Sequence, residues 1–291
     1  MNAAVLWRAT RAYSFPASVV PVLLGTVLAA RGYGELGDGR FNLTTFAVVL
    51  LGAVLAHFGA NVINDYFDFV KGVDTRPEHG SGVLTRREMT PAQALVYALL
   101  LFAGAALCGL FLLGQHAAVV VPFALVGLGC AVLYPALLKR YGLGDLLIIV
   151  AFGVGLTLGA YGVQAGRIGG RQWLLVAFYS IPICMLVDAI LHANNLRDAN
   201  DDRAARVRTL ATMLGQQLGQ RLQLVLLFGP LVFVLVGVLT RLLPLWSLAT
   251  LLATPLLIRA AKTGSVEGTA QTHLAFGVLY TVAFLLGSAR L

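Results

Sequence analysis

Two clusters of acids and amides in this chain have the types and spacing to do chemistry. The first lies in "NVINDYFDFVKGVD", residues 61–74, and holds Asn61, Asn64, Asp65, Asp68 and Asp74. The second lies in "HANNLRDANDDRAARVRTLATMLG", residues 192–215, and holds Asn194, Asp198 and Asp202 at intervals of four. Residues three and four apart share one helical face. Each cluster therefore forms one oxygen-rich stripe if the helix before it runs on. Asp201 falls off the second stripe and is expected to be solvated. Asp65 and Asp198 are 133 positions apart, and Asp68 and Asp202 are 134 apart. That offset reads as a weak internal repeat, a common device in membrane proteins.

Carboxylate and amide oxygens are hard ligands suited to Mg²⁺. This ion keeps several waters and is usually held by one or two carboxylates together with substrate phosphates. Two facing stripes would hold two such ions, with Asn64, Asp65, Asp68, Asn194, Asp198 and Asp202 as metal ligands. A diphosphate between them would be neutralised. Its C–O bond could then break, because charge developing on the leaving group is stabilised. The catalytic set on this reading is Asp65, Asp68, Asp198 and Asp202. Lys139, Arg140 and Arg197 would add positive charge for the phosphates. Asp145 and Asp188 lie near the ends of apolar stretches and read either as boundary residues or as part of the pocket, the boundary reading being preferred.

The elements that must position these groups are apolar. The 291 residues are 58% hydrophobic and only 12% charged, with a mean hydropathy of +0.83. Soluble domains carry roughly 25% charged residues. Nine continuous apolar stretches are expected to span a membrane, at about 15–31, 43–64, 92–113, 117–138, 143–163, 173–192, 222–240, 242–259 and 272–288. Runs of this length read as transmembrane helices, whereas barrel strands would alternate apolar and polar residues. The pattern predicts an all-α polytopic membrane protein of one domain, residues 1–291. The first stretch follows Arg8 and Arg11 and is taken as a helix rather than a signal peptide.

The net charge of +8 is better read as sidedness than as a nucleic-acid footprint. With the N-terminus in the cytoplasm, 15 of the 21 Lys and Arg residues fall on the cytoplasmic side and 6 on the other, a positive-inside bias. This parity places both acidic clusters on the cytoplasmic face. Cys108, Cys130 and Cys184 lie in apolar runs with no CxxC, so they suggest neither a disulfide framework nor a zinc site.

At these residues the chain resembles a known family. "NDYFDFVKGVDT" and "NNLRDANDDR…RTLATMLG" are similar to the two aspartate-rich motifs of UbiA-type membrane prenyltransferases, and "YPALLKRYGLGDLLI" to the stretch after that superfamily's fourth helix. The combination with "HANNLRD" resembles the 1,4-dihydroxy-2-naphthoate polyprenyltransferase branch, which makes menaquinone precursors. The resemblance implies a bundle of about nine helices around a central cavity open sideways to lipid. It implies Mg²⁺-dependent transfer of a polyprenyl group from its diphosphate to an aromatic acceptor, with loss of the acceptor's carboxylate in the naphthoate branch. It also implies a multi-pass protein of the cell (inner) membrane. Asn64 and Asp68 match the first metal-binding pair, with Asp65 and Asp74 beside them; Asn194, Asp198 and Asp202 match the second. Lys139 matches a diphosphate-contacting lysine, with Arg140 and Arg197 as further candidates. Two positions depart from the family pattern. Many relatives carry an acid where this chain has Gly72, and the acid here is Asp74. After Asp202 the branch usually reads Gly-Lys-Arg-Thr, where this chain has Arg206-Val207-Arg208-Thr209.

Aromatic faces stabilise cations, and Tyr66, Phe67, Tyr134 and Tyr141 lie near the motifs, Tyr134 as a substrate-binding candidate. His57 and His192 each precede a cluster and are expected to pack or hydrogen-bond locally. His79 lies in "HGSG", a flexible cap over the site. Two alternatives stay open: the same chemistry on another quinone precursor or a chlorophyll-type alcohol, and an ion-coupled transporter. A transporter would place its acids near the bilayer midplane on broken helices, whereas these clusters sit at helix ends beside basic residues.

Overall fold

The computed structural model describes residues 2–32, 36, 39–74, 76–77, 80–130, 141–166 and 169–287. Among these the chain is helical, with no strand. A short helix α1 (Ala3–Ala9) and a single 3₁₀ turn lead into α2 (Pro16–Arg31). Then come α3 (Leu43–Val70) and α4 (Pro91–Leu128). A short α5 (Gly144–Ile148) runs through a π-helical stretch, Ile149–Gly155, into α6 (Leu156–Ala165). The chain continues with α7 (Gln172–Ala204), α8 (Leu210–Leu239), α9 (Thr254–Thr263) and α10 (Val266–Leu286). Among the described residues seven helices are long and apolar enough to cross a membrane, and His116–Leu128 is a shorter apolar helix. The protein is a multi-pass membrane protein.

Local chemistry sets the helix ends. Asn42 caps α3 by accepting from Thr45 N at 2.9 Å. Thr90 and Gln93 form a reciprocal capping box at α4, with Pro91 at the first helical position. Thr209 and Thr212 do the same at α8. Such caps satisfy N–H groups that a helix start leaves without partners. The fourth expected span begins where α4 breaks at His116, whose φ of −139° is not helical.

The eighth expected span, 242–259, takes an unusual form. It is a 3₁₀ helix, Leu245–Ala253, followed by α9. Pro255 lacks the N–H that would reach the Leu251 carbonyl; Thr254 N donates there instead. At about 2.0 Å per residue a 3₁₀ segment covers more height than an α-helix, so these two short pieces together approach a membrane's thickness.

Helix α2 is the axis of the packed core. Val20, Leu24 and Leu28 are fully buried among residues of α6, α7, α8 and α10. Gly25 makes this close approach possible. A Cβ there would sit 2.2 Å from the Thr157 carbonyl on α6. Small residues at such crossings let membrane helices meet backbone to backbone. Leu99, Leu100, Leu107 and Leu110 on α4 and Leu239 on α8 stay exposed, as lipid-facing residues should.

Candidate active site

Both asparagine–aspartate clusters fold as helix. α3 runs through Asp68 to Val70, and α7 runs through Asp202 to Ala204, so each spacing in fact makes one stripe. Asn64 Nδ2 donates to Asp68 Oδ2 at 3.0 Å, and Asn194 Nδ2 donates to Asp198 Oδ2 at 3.3 Å. The same i, i+4 pair thus recurs on both helices.

The two helices also stop in the same way. After α3, Val73 N donates to the Asp68 carbonyl at 2.8 Å, with Gly72 at φ +71°. After α7, Val207 N donates to the Asp202 carbonyl at 2.7 Å, with Arg206 at φ +57°. This is the reversal that ends a helix with a left-handed residue just beyond its cap. It gives a physical reason for the first departure from the family pattern and shows the backbone cost of the second. Gly72 turns the chain back, so the acid two residues later, Asp74, reaches the pocket. Arg206 stands where a glycine would adopt the same φ without strain.

The stripes meet. Asn64, Asp68 and Asp74 from the first cluster line one small polar pocket with Asn194, Asp198, Asp201 and Asp202 from the second. This pocket has a volume of about 40 Å³. Beneath it lies a second, largely apolar cavity of about 270 Å³, with Ala53, Ala56, Ala151, Phe152 and Leu156 in its wall. Arg11, Asn64, Asn194 and Asn195 line both. A small acid-lined chamber therefore adjoins a larger apolar one, and the two share these four residues as wall.

Arginines face the carboxylates. Arg197 forks onto Asp198, with Nε to Oδ1 and Nη2 to Oδ2 both at 2.7 Å, and also donates to Asn194 Oδ1 at 2.9 Å. Arg76, from the connection after α3, ion-pairs with Asp201. Asp201 is thus a tie between the two halves rather than a merely solvated acid. Asp65 is buried and turns to other partners. Its Oδ1 pairs with Arg11, and its Oδ2 accepts from Ser81 N at 2.9 Å and Ser81 Oγ at 2.5 Å. Burial is the largest influence on Arg11 and would lower its pKa, but Asp65 together with Tyr13, Asp74 and Asp68 outweighs it and holds the guanidinium above its usual value.

The donor set of the polar pocket suits a hard cation: among the described residues its wall offers carboxylate and amide oxygens and neither thiol nor imidazole. Among the described residues no three His, Cys, Asp or Glu side chains already converge as a metal site. Magnesium needs only one or two carboxylates when phosphates and waters complete its shell, so Asp68, Asp198 and Asp202 fit that group.

Lys139, Arg140, Tyr134 and His79 lie outside the described residues. Tyr141 is exposed. Three features of the site lacked a clear signal in the sequence. Arg11 looked like a flanking charge of the first span. Asn195 is 6% exposed and lines both chambers, with Nδ2 unpaired; only its place beside Asn194 could have pointed to it. Asp145 and Asp188 are buried rather than boundary residues, and Asp145 Oδ1 lies 3.5 Å from His192 Nδ1. His192 Nε2 is 2.9 Å from the Gly219 carbonyl, to which it donates. His192 thus bonds across to the neighbouring helix α8.

The UbiA prenyltransferase family profile matches residues 18–276. The chain is 36% identical over 301 residues to the UbiA prenyltransferase domain-containing protein 1 homolog of Drosophila melanogaster, covering 94% of this chain and 77% of that one. It is 30% identical over 302 residues to the 1,4-dihydroxy-2-naphthoate octaprenyltransferase of Bacillus subtilis (strain 168), covering 98% of this chain and 94% of that one. A solved UbiA homolog from Archaeoglobus fulgidus, bound to GPP and Mg²⁺, shares the fold with a TM-score of 0.60 at 12% identity, covering 97% of this chain and 98% of that one.

Proposed function

The chain belongs to the UbiA prenyltransferase family, and from that premise we propose that this prenyltransferase moves a polyprenyl group from its diphosphate to 1,4-dihydroxy-2-naphthoate. The acceptor's carboxylate is lost as CO₂, and the product is a menaquinone precursor. The membrane is the cell (inner) membrane, with the N-terminus and site on the cytoplasmic side. The observation that carries the reading is the joining of an acid-lined head chamber to an apolar one through Arg11, Asn64, Asn194 and Asn195. The Bacillus subtilis relative supports the acceptor, and the Archaeoglobus fulgidus homolog, solved with GPP and Mg²⁺, supports the donor and the metal.

Asp68, Asp198 and Asp202 would hold Mg²⁺, with Asn64 and Asn194 orienting the first two carboxylates and serving as ligands themselves. Bound there, Mg²⁺ supplies Lewis-acid stabilisation of the departing diphosphate. Arg197 can release Asp198 to the metal and turn its planar fork to phosphate oxygens, a geometry guanidinium matches well. Lys139, Arg140 and Tyr134 are proposed further contacts to the donor. Asn195 Nδ2 and the unpaired Arg11 Nε offer N–H donors between head and tail. Asp65 supports the site by fixing Arg11 and the Ser81 loop. The apolar wall around Phe152 keeps water from the allylic cation until the electron-rich ring carbon attacks it, and the Phe152 face can favour that charge.

The test is direct. Purified protein in lipid nanodiscs is given labelled polyprenyl diphosphate and dihydroxynaphthoate, with and without Mg²⁺. The expected result is a prenylated, decarboxylated product that requires the metal. Product formation that persists in Asp68→Ala/Asp198→Ala protein would overturn the assignment of the site.

A further inference from the structure

One polar strip in the apolar chamber is not used by the prenyl donor. Asn61, Ser14, Ser18 and His57 line that chamber, from α3, the 3₁₀ turn and the start of α2. A hydrocarbon tail has nothing to offer such groups. Asn61 lies seven residues before Asp68 on one continuous helix, roughly 10 Å deeper at the α-helical rise. That is below the head chamber, where the reacting carbon and its acceptor must meet.

The hydrogen bonds fix which atom Asn61 shows to the cavity. Asn61 Nδ2 donates to the Thr10 carbonyl at 2.8 Å, and a carbonyl can only accept. Its second N–H donates to Ser14 Oγ at 3.1 Å. Ser14 has one proton, and it goes to the Arg11 carbonyl at 2.8 Å. Ser14 Oγ must therefore accept from Asn61 and also from His57 Nε2, 3.1 Å away. His57 Nδ1 then accepts from Ser18 Oγ at 2.8 Å. The chain of bonds is closed in one direction. Both amide hydrogens of Asn61 are spent, and Oδ1 has no partner among the described residues.

The geometry points to Asn61 Oδ1 as the acceptor-recognition group: it takes a hydrogen bond from a ring hydroxyl of the aromatic substrate and holds the ring against the allylic carbon. This rests on the prenyl-transfer reading above. Because the amide is anchored at both hydrogens, it cannot flip to present a donor. The subsite therefore selects a hydroxyl, which donates, over a methyl ether or a ring carbonyl, which cannot. Asn61 is a specificity-determining residue, with Ser14, Ser18 and His57 holding its orientation.

The experiment compares kcat/KM for dihydroxynaphthoate and for its two mono-O-methyl ethers in the wild type and in Asn61→Leu. The wild type is expected to prefer the free diol over one of the ethers by about 10–100-fold, the cost of leaving one buried acceptor unmet. In Asn61→Leu that ratio falls towards unity, while KM for the prenyl diphosphate stays within a few-fold. A wild-type ratio near unity for both ethers, or a ratio unchanged in the variant, overturns the inference and leaves the prenyl-transfer reading standing. Absence of transfer to any hydroxylated arene overturns both. A measurement on the wild type alone guards against a variant that fails to fold. The corresponding quinone, with carbonyls in place of hydroxyls, should inhibit at least tenfold more weakly than a non-reacting diol, and equal inhibition overturns the proposal.

Discussion

Asp68 and Asp202 end their helices with the same bond: each backbone carbonyl accepts from the N–H five residues on, at 2.8 Å from Val73 and 2.7 Å from Val207. Both helices thus stop in the same way, one turn out of register with the Asn64–Asp68 and Asn194–Asp198 pairs. The left-handed position just before that bond is Gly72 in one half and Arg206 in the other. A side chain in that conformation costs roughly 1–2 kcal/mol, of which glycine's greater unfolded-state entropy returns about 0.5–1 kcal/mol. Arg206→Gly is therefore expected to stabilise the protein by up to about 1 kcal/mol, and Gly72→Arg to destabilise it by a similar amount. Thermal unfolding in detergent measures both. A fall in Tm for Arg206→Gly would show that the arginine side chain contributes more than its backbone costs.

Asp68 and Asp198 should matter to the chemical step rather than to folding. Asp68→Asn and Asp198→Asn are each expected to lower kcat by about 10²–10³-fold, the scale seen when one charge-stabilising group is removed from an active site. Tm should change little, because asparagine keeps the shape. Chelation of divalent metal should abolish turnover in the wild type, and Mg²⁺ should restore it. Prenyl-transfer rates over a metal titration check both.

Asp65 has a different task from its neighbour. Arg11 and Asp65 are a buried ion pair, with side chains 13% and 7% exposed. Breaking such a pair from one side leaves a buried charge and costs about 3–5 kcal/mol. Arg11→Met should show this loss, and Arg11→Met/Asp65→Asn should recover a large part of it. A double-mutant cycle on unfolding would find no coupling if the pair contributes nothing.

Asn195 is predicted to contact the prenyl diphosphate. Asn195→Ala removes one N–H donor and should raise KM for the donor substrate by roughly 2–10-fold, the range of one neutral hydrogen bond. KM for the acceptor should stay unchanged. The opposite split would move Asn195 to the acceptor's side of the cavity.

Much of this was legible in the chain. The apolar stretches marked the helices because a membrane demands long runs of hydrocarbon side chains. The four-residue intervals marked the stripes because helical geometry is local. The break of the eighth span into 3₁₀ and α pieces was hidden, because overall hydropathy carries 242–259 as one span despite Pro244 and Pro255. The burial of Asp145 and Asp188 was hidden too. Position near a span's end says nothing about which helix packs over it, and the His192 that faces Asp145 comes from α7.

The sequence by itself determined the solvent this protein lives in, the helices that cross it, and the two oxygen-rich faces, because each depends on residues close together in the chain. Only the tertiary structure decided that the faces meet, that Arg11 neutralises Asp65, and that Thr10 and Ser14 take both amide hydrogens of Asn61. Those outcomes depend on which partner arrives from a distant segment, and hydrogen-bond donors and acceptors sort themselves only once the helices are packed.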